Sequence, residues 1–372
     1  MKKGKKTMKM KKKTMERMMK IISITLALLM FAGMLAACSS NEEKWVGVCM
    51  PKKDVERWRL DGSNIKMQLE AKGYKVELEY ADDDPDKQVE QIKKMIDKKY
   101  KALIIAAADC YNLNATLEKA SAAGIKVVAY DRLIMDTQYV DYYCTFDNYE
   151  IGEEQGKYII NTLNLDSRTE PVTMEIFSGA ADDSTSIENY NGQMNALRPY
   201  IDSGKIVIPS GQTDAVTTAI ENWATENAKA RMAQLLASYY SDGTQLDAVL
   251  STNDSMAMGV IAALKDAGYT AGGSKPLPVL TGMDCDVDNV IAIKDGEQSM
   301  SMFIDTRALA TWAVSLVDDV LSGKTPQNLN TDRYDNNVKI VATSICKAIY
   351  VDKDNYLDIL TKDGYYKPED FE

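Results

Sequence analysis

Acid, base, amide and indole side chains recur in this chain at one kind of place, the few residues that follow a short apolar run. The run Val127-Val128-Ala129-Tyr130 ends in Asp131-Arg132. The run at 45–50 leads into "PKKDVERW", which carries Arg57 and Trp58. Later runs end in "FDN" (Asp147, Asn148), "SGAADDST" (Asp182, Asp183, Thr185), "STND" (Asn253, Asp254) and "TGMDCD" (Asp284). The segment "NWATENA" adds Trp223 and Asn227. A carboxylate accepts hydrogen bonds, an arginine fork donates them, and a side-chain amide does both. With aromatic rings to cover C–H faces, this set suits a ligand rich in hydroxyls, such as a sugar. Each charge-assisted hydrogen bond to it contributes about 1.5–3 kcal/mol. The common catalytic chemistries are poorly served, because the chain contains no histidine. That removes the usual general base, Ser–His and Cys–His pairs, and the commonest metal ligand. No cofactor and no metal are expected.

Each residue alone has a plainer reading. An acid after a strand is commonly a helix N-cap, and Asp254, ahead of the helical pattern at 255–267, is expected to be one. Trp58 and Trp223 taken singly read as core residues. Asp131 and Arg132 read as a pair in which each keeps the other charged. Repetition at one end of successive strands is what favours a site. The cysteines Cys49, Cys110, Cys144, Cys285 and Cys346 are scattered and form no C-x-x-C pair. They read as small buried hydrophobes, not as a disulfide framework or metal site.

The elements that must position these residues alternate along the chain. Apolar, strand-length runs lie at 45–50, 75–80, 102–107, 126–130, 172–177, 205–208, 248–251, 279–281 and 299–304. Amphipathic helical patterns lie at 55–71, 86–98, 114–123, 150–163, 187–200, 225–240, 255–267 and 306–321, several closed by Gly73, Gly124, Gly268 or Gly323. Strand–helix alternation at this spacing predicts parallel sheets covered on both faces. About ten strands are too many for one compact parallel sheet, so two α/β lobes are expected. In such sheets ligands bind beyond the carboxyl ends of the strands, where the charged residues cluster. The Asn-rich stretch at 323–337 reads as a connection.

The first twenty residues hold ten Lys or Arg and one acid, and the seventeen from Ile21 to Ala37 are uncharged and largely apolar. That order marks a secretory leader and is short for a membrane span. Leu35-Ala36-Ala37-Cys38 resembles a bacterial lipobox, whose cysteine is lipidated and becomes the mature N-terminus. Residues 1–37 are read as the leader and 38–44 as a lipidated tether. The protein is expected outside the cytoplasm, on the membrane through its lipid alone, and in the periplasm where the host has an outer membrane. Taking ten bases and one acid from 44 and 55 leaves 34 and 54, a net charge of −20. Nucleic acid and anionic lipid surfaces need a basic footprint, so both are excluded as partners.

At these residues the chain resembles the type I periplasmic-binding-protein sugar receptors of ABC transporters, in the xylose-binding and multiple-sugar-binding branch. The likeness spans 45–367. It is carried by Arg57-Trp58, "YADDDPDKQVEQI" (80–92), "GIKVVAYDRLI" (124–134), "FDN" (146–148), "LRPYIDSGKI" (197–206) and "DGYYK" (363–367). The resemblance implies two Rossmann-like lobes joined by three hinge crossovers, with 45–147 and 304–328 in lobe 1, and 148–303 and 329–372 in lobe 2. It implies a monomer that takes a monosaccharide through Arg57, Asp131, Arg132, Asp183, Trp223, Asn227, Asn253 and Asp284. The partners implied are an ABC permease and its ATPase. Three positions depart from the family's pattern. Met283 stands where a Gln is usual, Ser184-Thr185 where two Asn are usual, and Ile304 where a Lys is usual. Two other functions share these residues: a sensor serving a transmembrane kinase or chemoreceptor, and a glycosidase using Asp131 and Asp284. An arginine beside Asp131 argues against the glycosidase, because it holds the acid ionised.

Overall fold

A computed structural model describes Met15 and residues 43–372; the rest of the expected leader, and Cys38 with it, lies outside the described residues. The folded unit is Trp45–Glu372. Its first part runs β1 (Trp45–Met50), α1 (Glu56–Ala71), β2 (Lys75–Tyr80), α2 (Pro85–Asp97), β3 (Ala102–Ile105), α3 (Asn114–Ala122), β4 (Lys126–Tyr130) and β5 (Tyr142–Phe146). The middle runs α4 (Asn148–Thr162), β6 (Val172–Phe177), α5 (Ser184–Asp202), β7 (Ile206–Val207), α6 (Thr225–Tyr239), β8 (Ala248–Ser251), α7 (Asp254–Asp266), β9 (Val279–Leu280), α8 (Val287–Asp295) and β10 (Met300–Phe303). Then come α9 (Thr306–Leu321), β11 (Thr343–Cys346), β12 (Ile349–Asp352) and α10 (Tyr356–Thr361).

One sheet has the order β11-β5-β4-β3-β1-β2 and the other β7-β6-β8-β9, with every neighbouring pair parallel. Strand β10 carries the second lobe past β9 through a bridge between Met283 and Met302, and pairs with β12 antiparallel. In β3 and β8 all four residues are buried, as strands covered by helices on both faces require. Strand β4 feeds both faces with a period of two. Val128 and Tyr130 join the core under α1 and α9, while Val127 and Ala129 join the core under α2 and α3. A large aliphatic side chain fully buried this way contributes about 1.5–3 kcal/mol. Helix α2 shows how a start is fixed: the Asp84 carboxylate accepts from the backbone of Asp86 at 2.9 Å and Lys87 at 3.1 Å, ahead of Pro85.

The chain crosses between the lobes three times: at Asp147 after β5, at Ile304-Asp305 after β10, and at Lys347-Ala348 after β11. Arg333 forks both oxygens of Asp147 at 2.8 Å, bracing the first crossing. The sequence reading does not contain β5, β11, β12, α8 or α10. It also places residues 329–372 together in lobe 2, and the structure corrects that boundary. The connection after α9 docks on the first sheet, where Asn336 donates to the carbonyls of Ile134 (3.1 Å) and Thr137 (2.7 Å). It then delivers β11 to the edge beside β5, so backbone pairing assigns 343–346 to the first lobe. The five described cysteines are buried and unbridged. No helix among the described residues is long and apolar enough to cross a membrane.

Candidate functional site

The carboxyl ends of strands from both sheets open on one cavity of about 650 Å³. Nine of the ten residues picked from the sequence line it: Arg57, Trp58, Asp131 and Arg132 from the first lobe, and Asp183, Thr185, Trp223, Asn253 and Asp284 from the second. Asn227 does not. It is exposed on α6 and its amide donates to the Glu221 carbonyl at 3.1 Å, which holds the turn carrying Trp223.

Asp131 has a positive φ of 63°, a conformation that Asp tolerates better than most residues. Three bonds from β5 clamp it there. Its N–H donates to Cys144 O (2.7 Å), and its carbonyl accepts from Tyr143 Oη (2.5 Å) and Thr145 Oγ1 (3.0 Å). The expected Asp131–Arg132 pair is not what forms. Asp131 is paired with Arg57, and Arg132 Nε lies 2.7 Å from Asp183 Oδ2 in the other lobe. Successive side chains at a strand end point apart, so neighbours in sequence find different partners. Arg57 also reaches Asp61 at 3.3 Å and Asp284 at 4.0 Å. Burial works against its charge, yet these three carboxylates hold it protonated above its ordinary range. Both guanidinium groups lie against the Trp58 ring, 4.4 Å and 5.2 Å from its centroid. Trp58 is thus a core residue and a cavity wall at once.

In the second lobe two site residues are also helix caps. Asp183 accepts from Thr185 N (2.9 Å) and Thr185 Oγ1 (2.8 Å), and Asn253 accepts from Met256 N (3.1 Å). The cap of α7 is therefore Asn253, not Asp254 as expected. Asp254 is the first helical residue and fully buried. Its carboxylate accepts from Gln298 (2.8 Å), Ser301 (2.9 Å) and the Asp286 backbone (3.1 Å). Burial pushes its pKa up to about 8. These bonds fix the turn that presents Asp284, whose φ is 112°. Burial drives the Asp284 carboxyl well above its ordinary range, with Arg57 opposing. Asn253 donates to it at 3.4 Å. Trp223, at φ 54°, rests on Gly179, where an added Cβ would lie 2.1 Å from the indole. We expect Gly179→Ala to move the ring and weaken ligand binding about tenfold, as loss of one good contact does, while the fold survives. Titration by tryptophan fluorescence reads it, and unchanged affinity would place the indole outside the contact surface.

The family match coincides with this architecture: the periplasmic binding protein domain is matched over residues 46–325. The chain belongs to that family. It is 43% identical over 353 residues to the multiple sugar-binding periplasmic receptor of Rhizobium radiobacter, covering 95% of this chain and 99% of the receptor. It is 29% identical to the D-xylose-binding periplasmic protein of Escherichia coli, covering 94% of this chain and 99% of that protein. An ABC transporter solute binding protein from Clostridium phytofermentans, solved with bound β-D-glucose, superposes with a TM-score of 0.85. It is 45% identical and covers 88% of this chain and 100% of its own.

As in other periplasmic binding proteins, two lobes face each other across the cavity, and here each supplies acids. Four buried atoms of its lining residues make no hydrogen bond. Arg57 Nε and Arg132 Nε face Asp61 and Asp183 in ion pairs. The others are Trp223 Nε1 and Asp284 Oδ1, the latter 4.0 Å from the Arg57 guanidinium. One donor and one acceptor are thus preorganised toward a ligand. Met283 and Ile304, two of the departures noted in the sequence, join Phe146 as an apolar wall. Sequence reasoning noted Asn148 at a strand end without placing it among the ligand contacts, and passed over Phe146, Met258 and the outer acids Asp54, Glu56, Asp286 and Asp288. The "FDN" triplet was the one signal that pointed to Phe146 and Asn148. The outer acids sit in ordinary polar loop sequence, where nothing distinguishes them from solvated surface.

Proposed function

We propose that this periplasmic binding protein captures one monosaccharide of the xylose/glucose/galactose class between its lobes and delivers it to an ABC permease driven by its ATPase. The observation that carries this reading is the cavity. Carboxylates from both lobes are held in fixed orientations by internal pairs, beside two tryptophans and a buried donor and acceptor that make no hydrogen bond. Several charge-assisted bonds of about 1.5–3 kcal/mol each suffice for micromolar capture without any covalent step. The arginine paired with Asp131 is Arg57 rather than Arg132, and it occupies the carboxylate that a glycosidase would use. The sugar-binding relatives support the reading. We extend it to a lipid anchor on Cys38 at the outer face of the membrane.

A thermal-shift screen of residues 39–372 against aldopentoses, aldohexoses and deoxy sugars tests the ligand. At a hundredfold excess over Kd a ligand adds about 2.7 kcal/mol, or about 4 °C for a chain of this length. A shift with one or a few sugars supports the proposal, and no shift with any overturns it. Cys38→Ala is expected to abolish incorporation of labelled fatty acid into the full chain; undiminished incorporation would put the anchor elsewhere.

A further inference from the structure

The cavity has a definite sign. Its lining includes three bases, and each is already paired: Arg57 with Asp131, Asp61 and, at 4.0 Å, Asp284; Arg132 with Asp183; and Lys52 with Asp83 at 2.6 Å. Around the mouth the lining continues in Asp54, Glu56, Glu226, Asp286 and Asp288, all exposed or half-buried. Deeper in, Asp284 Oδ1 is buried without a hydrogen bond, with the Arg57 guanidinium no nearer than 4.0 Å. An acceptor in that state is satisfied by a donor and repelled by a second anion. The surroundings already disfavour one negative charge: the Asp284 carboxyl is held up by burial first, against Arg57, with Asp286, Asp254 and Asp131 adding to it. A site built for a carboxylate or phosphate presents an unpaired arginine fork, and this lining has none to offer. A cleft lined by one sign also focuses its field on whatever enters.

We propose that the site selects by charge, taking neutral monosaccharides and excluding their anionic counterparts, the uronates and sugar phosphates. The proposal rests on the monosaccharide reading above and narrows it. Its test is a calorimetric comparison of D-glucose with D-glucuronate and D-glucose 6-phosphate, and of D-galactose with D-galacturonate, on the unlipidated protein at neutral pH. D-Glucuronamide, neutral but of the uronate's size, separates charge from bulk. The anions are expected to bind about tenfold more weakly than their neutral partners, or worse, with the amide close to glucose. The gap should narrow at about 1 M salt, where the screening length is about 3 Å. It should narrow again in an Asp54→Asn/Glu226→Gln/Asp288→Asn variant, a ratio that a general loss of binding does not move. A uronate that binds as well as its neutral partner overturns charge selection, as does a gap that salt and the variant leave unchanged. Failure of every neutral sugar would overturn the monosaccharide reading, and this inference with it.

Discussion

An Arg57→Ala protein is expected to lose measurable sugar binding and to melt several degrees lower than the parent. Arg57 is buried among Asp131, Asp61 and Asp284, and it faces all three from one guanidinium. Removing it leaves three buried carboxylates facing one another. Breaking a buried pair from one side costs about 3–5 kcal/mol, because the remaining charge is stranded. At the usual entropy of unfolding for a chain of this size, that is about 4–7 °C. Binding falls further, because Asp131 loses the partner that aims it and the cavity loses a donor. Lysine is expected to rescue little, since one ammonium cannot reproduce a fork that serves three acids. The deficit in melting temperature should shrink as pH falls toward 5, because Asp61 and Asp284, which burial lifts against Arg57, hold their protons there. Unchanged melting and affinity would show that Arg57 is not the centre of the cluster.

The ligand-free protein is expected to lose stability as pH rises from about 5 to about 8. The chain has no histidine, so the ordinary titrating side chain in that window is missing. Buried acids replace it, Asp61 and Asp254 foremost, and Asp284 and Asp286 are lifted in the same direction. Burial lifts Asp61 to about 7, with Arg57 and a bond from Tyr130 opposing, and lifts Asp254 to about 8. The unfolded values lie near 4. A folded pKa above the unfolded one means that the native state holds the proton more tightly. The stabilisation is therefore fully present below about pH 4 for these two groups and disappears as pH climbs through 7 and 8. Acids with lowered values, such as Asp147 and Glu77, are ionised in both states above pH 5 and add no slope there. The total change is on the order of a few kcal/mol. Thermal melts across the window measure it, and Asp254→Asn should flatten the curve. A stability that is level or rises from pH 5 to 8 would show that neither acid holds its proton.

The alternation of strands and helices, and nine of the residues that line the cavity, were legible because a parallel sheet delivers loop residues to one edge and the loops carry the polar side chains. What was not legible is who pairs with whom. Asp131 and Arg132 are adjacent, yet their partners lie 74 residues back and 51 residues ahead. A positive φ fixed by tertiary bonds to β5 redirects the first of them, and no local signal announces it. Asn253 and Asp254 are both good caps by type; which one caps was decided by burial of the second among Gln298, Ser301 and the Asp286 backbone. Strand β11 was hidden for a related reason. It has four residues and follows a polar connection, and only its partner β5 makes it a strand.

That last strand also sets an order of events. Thr343 lies opposite Tyr143, two hundred residues earlier, so the first lobe cannot complete its sheet from its own consecutive residues. Until synthesis has nearly ended, β5 carries an open edge of the kind that proteins otherwise blunt or cover. Pairings so distant in sequence also form slowly. A chain still being made therefore stays pliable in its first half, whatever that half could do alone. In the secretory reading, where the leader threads the chain across a membrane before it folds, the placement of those four residues is expected to work as a built-in delay.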